Sequence, residues 1–471
     1  MDIFMAKGLK EKTIYACMDE DRWESGPHSP IILDGVDVQS FKGAAKTLFS
    51  NRAEWIPKTW IVALDPGSPL FKKISSLHSD GNTETGWYEV KFVLDNGAGS
   101  NGLLQPLRAL ANEVPERVRV TGVEMLTNRR TQNKLNRFSR LQGAPRATKA
   151  QIKQLLDLAV ADIRSPMITV YDVGQANWNA LVDTHECPTS APKVRMFFDF
   201  GVPTGWNYNT LPTPPLDPLA SSTIEPGAPV VLSHWDMDHW AGAALGQPLY
   251  GSRGLRIRWD SRAVNDRKWL VPNQGRFSSG QRISPTSWRL AIILYRQGNL
   301  MVWPTLLNTV QSSRGDWLVK CVPAPGVKSN NNNTGIAFSA LLHEEWRGYT
   351  LCPADAEFSS VFFNLPQSLK FFNLIASHHG GNLKHPGLIP PALYGKHSRL
   401  AISHGARYGH PTAAAKAAYT AKQWITQHET QARLPQPGLQ DSGTVALPGW
   451  PRSFEKHCAT CSSRIETCPV R

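Results

Sequence analysis

The stretch Ser233-His234-Trp235-Asp236-Met237-Asp238-His239-Trp240-Ala241-Gly242 places four metal-competent side chains within six residues. The apolar run Pro229-Val230-Val231-Leu232 leads into it, and the small residues Ala241-Gly242-Ala243-Ala244 follow. This pattern predicts a buried strand, a tight ligand-bearing loop and then a helix start. Two imidazoles and two carboxylates suit a borderline divalent ion, zinc first, or manganese if oxygen ligands predominate. An ordinary core would not hold them, because unpaired buried charge is costly.

The same theme recurs downstream. Tyr349-Thr350-Leu351-Cys352 reads as a strand that runs out into Pro353-Ala354-Asp355. Leu374-Ile375-Ala376 opens into Ser377-His378-His379-Gly380-Gly381, and Leu400-Ala401-Ile402-Ser403-His404 leads on to Tyr408-Gly409-His410-Pro411. Strand after strand thus ends near His or Asp. Ligands delivered from one edge of a sheet make a single polynuclear site.

Around these motifs the chain is long and basic. Its 471 residues imply more than one domain, and 41% hydrophobic residues suffice for a well-buried core. The formal net charge of +13 favours anionic partners, with nucleic acid, phosphorylated metabolites and an acidic protein all open. The seven cysteines are an odd number and mostly scattered, which is no disulfide framework and fits a reducing compartment. No signal peptide is visible in Met1 to Lys7, and no apolar run is long enough for a bilayer. These features predict a cytoplasmic protein without a membrane partner.

Three regions are expected. Residues 1–160 read as a small α+β module, with strands at Thr59–Leu64 and Glu89–Leu94 and a helix from Leu103 to Val114. The module ends in a basic stretch from Arg117 to Lys153, either a phosphate-tracking surface or a solvated helix face and linker. It also offers a place for a partner protein. Residues 165–435 alternate strand candidates with helical stretches, a strand-rich α/β region. Residues 436–471 form a Pro/Gly-rich tail that reads as loosely ordered. Within it His457, Cys458, Cys461 and Cys468 are candidates for a structural zinc.

The motifs together resemble the metallo-β-lactamase-fold hydrolases, and most of all the soluble hydrolase domain of the ComEC/Rec2 competence proteins. The resemblance lies in Asp172-Val173-Gly174-Gln175-Ala176-Asn177, Asp199, His234-x-Asp236-x-Asp238-His239, Asn331-Asn332-Asn333-Thr334, Asp355, His378-His379-Gly380 and Tyr408-Gly409-His410-Pro411. It covers about residues 165 to 415. It implies an α/β fold, an αββα four-layer sandwich, with the N-terminal α+β module added. It also implies two divalent ions, zinc or manganese. His234 and Asp236 would bind the first; Asp238, His239 and His378 the second, with His379 the lesser choice; Asp355 would bridge them. His410 would contact substrate or metal. The family's middle histidine has no clear counterpart, since His343 lies out of place, so Asn331 or Asn332 would face the first ion. The family's membrane channel has no equivalent here.

Two ions would acidify a water and clamp the attacking and leaving oxygens of a phosphodiester. Asp238 would orient that water. Asp199 would steady a ligand histidine from behind or cap a strand. The leading expectation is therefore a phosphodiesterase or nuclease acting on DNA or RNA. The alternatives are a small-molecule hydrolase for a lactam, thioester, lactone or phosphoester, and a non-catalytic regulatory subunit with a degenerate site. Oligomeric state is not set by the sequence.

Overall fold

A computed structural model describes residues 11–18, 30–49, 55–79, 86–94, 99–105, 107, 116–184, 193–204, 210–212, 215–245, 250–251, 254–275, 282–327, 329–343, 347–404, 409–430 and 444–448. The proposed zinc ligands His457, Cys458, Cys461 and Cys468 lie outside the described residues.

The chain divides into two compact units, each assembled from discontinuous segments. Unit 1 comprises residues 1–144, 245–258 and 275–293; unit 2 comprises 145–244, 259–274 and 294–471.

Unit 1 is built on a closed barrel. Its strands are Lys12–Met18, Ile31–Asp37, Thr59–Leu64, Gly102–Leu104, Arg117–Met125 and Tyr88–Leu94, in that order around the ring. Every pairing is antiparallel. Ile14, Leu33, Trp60, Val62, Val90, Phe92, Leu104 and Val118 are among the side chains that fill the interior. Alternation explains this: along Arg117–Met125 the residues Val118, Val120 and Val123 turn inward while Arg117, Arg119 and Thr121 stay exposed. Closure leaves no unpaired strand edge. Of the helix expected from Leu103 to Val114, Leu103 and Leu104 lie instead in the strand Gly102–Leu104, and residues 106 and 108–114 lie outside the described residues. Gly102 fits there because a Cβ would come within 2.7 Å of the Ala63 carbonyl oxygen.

Unit 2 carries two mixed sheets. The first runs Leu300–Val302, Trp269–Val271, Val230–Val231, Lys193–Phe198, Asn179–Asp183, Pro166–Val170 and Val445–Pro448, with Thr223–Ile224 also paired to Lys193–Phe198. The second runs Thr309–Gln311, Trp317–Lys320, Ile336–His343, Gly348–Cys352, Lys370–Ile375, Arg399–Ile402 and Thr426–Glu429. In both, antiparallel pairs give way to parallel ones along the sheet. One apolar core holds inward residues of both sheets, including Val170, Leu181, Phe198, Val231 and Leu270 from the first and Leu318, Phe338, Ala340, Cys352 and Ile375 from the second. Val445–Pro448, in the region expected to be a loose tail, pairs with Pro166–Val170. Its residues Val445 and Leu447 are buried in that core.

The αββα four-layer sandwich expected from the resemblance is corrected by these observations. The chain is helix-poor, 25% helix against 32% strand, with an antiparallel barrel where an α+β module was expected. Ala241–Ala243, expected to start a helix, is a single 3-10 turn. Packing enforces it: a Cβ on Gly242 would sit 2.5 Å from both the Phe200 carbonyl oxygen and the Trp178 ring. Among the described residues no helix is long and apolar enough to cross a membrane.

Candidate metal centre

The site lies in unit 2, where strand ends of both sheets meet. Asp199 follows Lys193–Phe198, and Ser233 and His234 follow Val230–Val231. Asp355 follows Gly348–Cys352, His378 and His379 follow Lys370–Ile375, and Ser403 follows Arg399–Ile402. Carboxyl ends of parallel strands are where open sheets gather functional groups. Backbone bonds tie the loops across the rim: Ile336 N donates to Ser233 O at 2.8 Å, and His378 N to Ala354 O at 3.1 Å.

The ligand loops adopt backbone that strand or helix would forbid. Asp199, Ala354, His378 and His379 all have positive φ (63°, 52°, 48° and 53°), half of the eight such non-glycine residues described. Strain of this kind persists only where surroundings over-determine it, and it gathers at functional sites. Around His378 the determinants are Ser377 N, which donates to the Tyr419 hydroxyl at 3.0 Å, and Ser377 Oγ, which donates to Ala356 O at 2.8 Å.

Three carboxylates and four imidazoles come together here. His234 Nε2 lies 3.1 Å from Asp236 Oδ2 and 3.9 Å from Asp355 Oδ2. His239 Nε2 lies 3.3 Å from Asp355 Oδ2 and 3.9 Å from Asp238 Oδ1. His379 Nε2 lies 3.6 Å from Asp238 Oδ2 and 4.0 Å from Asp355 Oδ1. His378 Nε2 lies 3.8 Å from Asp355 Oδ2. Two triads have the spacing of metal sites, each with ligand atoms within 4.8 Å of one another: His234–His239–Asp355 and Asp238–His239–His379. The structure thus brings both His378 and His379 to the centre, and it is His379, the lesser choice from the sequence, that completes a triad.

The outer faces of the rings are pinned. His239 Nδ1 is 2.8 Å from Asp199 Oδ2, and His234 Nδ1 is 2.9 Å from Ser233 Oγ. His379 Nδ1 donates to Ser403 O at 3.1 Å. Each inner Nε2 is thereby aimed at the carboxylates. The Nε2 atoms of His234 and His379 are buried without a hydrogen-bond partner. A ring that donates from Nδ1 presents a lone pair at Nε2, the arrangement metal-binding histidines use.

Asp199 is fully buried and takes no inward position. It accepts from Ser233 N at 2.6 Å, Ser233 Oγ at 2.8 Å and His239 Nδ1. Asn331 Nδ2 donates to Asp236 Oδ1 at 3.0 Å, and Asn332 is buried beside it in the same turn. His410 is buried against His378, ring centroids 5.5 Å apart. His343 is the exception. It is the last residue of Ile336–His343, about 23 Å along the strand from the end that meets Ser233, at roughly 3.3 Å per residue.

Electrostatics follow from this crowding. Burial works against charge on His239, but the carboxylates of Asp355, Asp199 and Asp238 outweigh it and hold its pKa well above the ordinary value. Burial likewise pushes Asp355 up, and His239, His378 and His379 pull it well below the usual carboxylate range. Asp238 is lowered for the same reason: His239 and His379 outweigh its burial. The proton held on His239 therefore offsets the surrounding acids, and a divalent cation would satisfy the same acids in its place.

Two contributors escaped the sequence reading. Asn177 Nδ2 donates to Asp355 Oδ1 at 3.0 Å and lies 3.4 Å from His239 Nε2. Its signal was its place at the end of the Asp172–Asn177 motif. Ser233 links the Asp199 carboxylate to both His234 and His239. Compared with protein-family models, curated proteins and solved structures, the chain has no match.

Proposed function

We propose that unit 2 is a metal-dependent hydrolase acting on phosphodiester bonds of nucleic acid. The observation that carries this reading is the inward convergence of the His234, His239 and His379 Nε2 atoms on Asp236, Asp238 and Asp355, with each Nδ1 anchored from behind. The donor set, nitrogen with carboxylate oxygen, fits zinc, and manganese to a lesser degree. Ions held there would supply an acidified water and counter-charge for the phosphate oxygens.

The chain's own groups supply the rest. The two triads share His239, whose single Nε2 lone pair serves one ion only, so His234, Asp236 and Asp355 would hold the first position and Asp238, His239 and His379 the second, with His378 in reach of Asp355. Asp238 keeps part of its side chain open, 18%, and its low pKa leaves it an acceptor for a water proton. His410, buried beside His378, would meet substrate on this reading. The net charge of +13 favours a polyanionic substrate over a neutral lactam or lactone.

The test uses purified chain loaded with zinc or manganese, labelled single- and double-stranded DNA and RNA, and a chromogenic phosphodiester. Cleavage that disappears in Asp236→Ala/Asp238→Ala supports the reading. Cleavage that survives in that variant, or turnover of lactam or thioester substrates alone, overturns it.

A further inference from the structure

The helix Arg129–Ser139 of unit 1 carries a cationic stripe that the candidate metal centre does not use. Arg130, Asn133, Arg137 and Arg140 recur at intervals of three, four and three residues and are all exposed. That spacing puts them on one helical face. Together with Asn136 they line an open cavity of about 610 Å³.

The opposite face is fastened down. Leu135, Phe138 and Ser139 are buried, and Phe138 meets Phe41, Trp55 and Trp288 edge-on. Asn136 Oδ1 accepts from Trp87 Nε1 at 2.9 Å, and Ser139 Oγ donates to Ile283 O at 2.9 Å. Lys134, a further cation of the helix, is consumed internally. Its ammonium donates to Phe41 O and Ala44 O, both at 2.9 Å, and rests 4.5 Å from the Phe41 ring centre.

The arginines have no such use. Among the described residues no acid pairs with Arg129, Arg130, Arg137 or Arg140; Arg140 Nε alone donates, to Gly275 O at 3.1 Å. The helix itself contains no Asp or Glu. Arg129 and Arg130 occupy its first turn, where the macrodipole disfavours cations, and like charges three to four residues apart repel. A sequence that breaks these local rules on a rigid surface element marks a place where an outside anion completes the balance.

We propose that this stripe is a docking track for the phosphate backbone of a nucleic-acid strand. Guanidinium forks match phosphate oxygens, and the exposed Asn133 amide suits sugar and base edges. Arg130 and Arg140 stand about 15 Å apart along the helix at 1.5 Å per residue, too far for one phosphate group and suited to a chain of them. The choice of nucleic acid over another polyanion rests on the hydrolase reading of unit 2.

The experiment measures binding of the full chain to phosphorothioate single- and double-stranded DNA and RNA, which resist cleavage, across a salt series. In Arg130→Gln/Arg137→Gln, the slope of log K against log salt falls by about 1.4 for single strands or about 1.8 for duplex DNA, as expected for two lost phosphate contacts. In Arg130→Lys/Arg137→Lys the slope is retained while affinity weakens, because charge remains and the forks are lost. Thermal melting confirms that both variants fold. An unchanged slope in the Gln variant overturns the proposal, as does arginine-dependent binding of polyglutamate without nucleic-acid binding. A chromogenic phosphodiester, too small to reach along the stripe, separates the two readings. Loss of strand binding with this turnover intact affects the docking track alone. Absent turnover with the slope change present sinks the hydrolase and leaves the track standing.

Discussion

Asp199→Asn isolates the support behind the metal centre from the centre itself. Asparagine has the same shape and tolerates the positive φ of 63° at this position, so backbone strain is unchanged. What changes is the donor pattern. The carboxylate accepts from Ser233 N at 2.6 Å and Ser233 Oγ at 2.8 Å, and His239 Nδ1 is 2.8 Å from Oδ2. An amide offers one acceptor oxygen and one NH₂, so one end must face a donor. If the NH₂ faces Ser233 N, a buried donor is left unsatisfied at a cost of about 1–3 kcal/mol. If it faces His239, the ring must accept at Nδ1 and carry its proton on Nε2, the atom 3.3 Å from Asp355. A protonated Nε2 has no lone pair for a metal.

Removing such a partner lowers metal affinity by about 10–100-fold. At 1.4 kcal/mol per tenfold this is about 1.4–2.8 kcal/mol. Zinc affinity is read by competition with a chromophoric chelator, and the His239 tautomer by ¹⁵N chemical shifts. Ser233→Ala, which removes the link between Asp199 and His234, falls between wild type and Asp199→Asn. Asp199→Asn with wild-type zinc affinity and an unchanged tautomer would refute the claim that Asp199 aims His239.

Other outcomes follow from the same coordinates. Gly201→Ala places a Cβ 1.7 Å from the Asp238 carbonyl oxygen and 2.7 Å from that of Asn177; the loop carrying Asp238 must shift, so zinc content drops well below wild type, and a fully loaded variant contradicts the packing. Chelation lowers the melting temperature, since an ion that binds only the folded chain contributes about 2.7 kcal/mol at one hundred times its Kd; identical melts with and without chelator count against a metal centre. In unit 1, burial raises the pKa of Asp34 from 3.8 to about 6, against hydrogen bonds from Thr286 that lower it. The folded state therefore holds the proton more tightly than the unfolded chain. The contribution is fully present below about pH 3.8 and is lost as pH rises to about 6, roughly 3 kcal/mol in all. The difference in unfolding free energy between wild type and Asp34→Asn should change by about 2.4 kcal/mol between pH 4 and 7, and a flat difference rejects it.

Strands were legible wherever alternation or an apolar run was long. Thr59–Leu64, Tyr88–Leu94 and Gly348–Cys352 all stand where side-chain pattern places them. The barrel was not legible, because Gly102–Leu104 is three residues long and its place depends on neighbours distant in sequence. The candidate ligands were legible as residue types but not as partners. Asp199 lies forty residues from His239, and only tertiary structure joins them. The choice between His378 and His379 was beyond pattern reasoning for a different cause. In regular strand or helix, adjacent side chains diverge, but at φ of 48° and 53° both rings reach the Asp355 carboxylate. His343 failed in the opposite way: residue type and a strand setting suggested a ligand, while its distance along the strand forbids it.

The correction to the layer architecture leaves the reading of the centre intact, because function resides in a site rather than in a fold. Convergence needs only that several strand ends share a rim, and two mixed sheets with little helix provide that. What separates a metal centre from an ordinary buried ion-pair network is the state of the inward nitrogens. In a structural network each buried imidazole nitrogen would find a donor or acceptor, since buried polar groups are nearly always satisfied. Here the Nε2 atoms of His234 and His379 face carboxylate oxygens at 3.1 and 3.6 Å without a well-formed hydrogen bond, although each ring is fixed from behind. Imidazoles fixed from behind and aimed at three carboxylates are the arrangement that the proposed cation would satisfy, and the chelator-dependent melt decides between that cation and a self-sufficient ion-pair network.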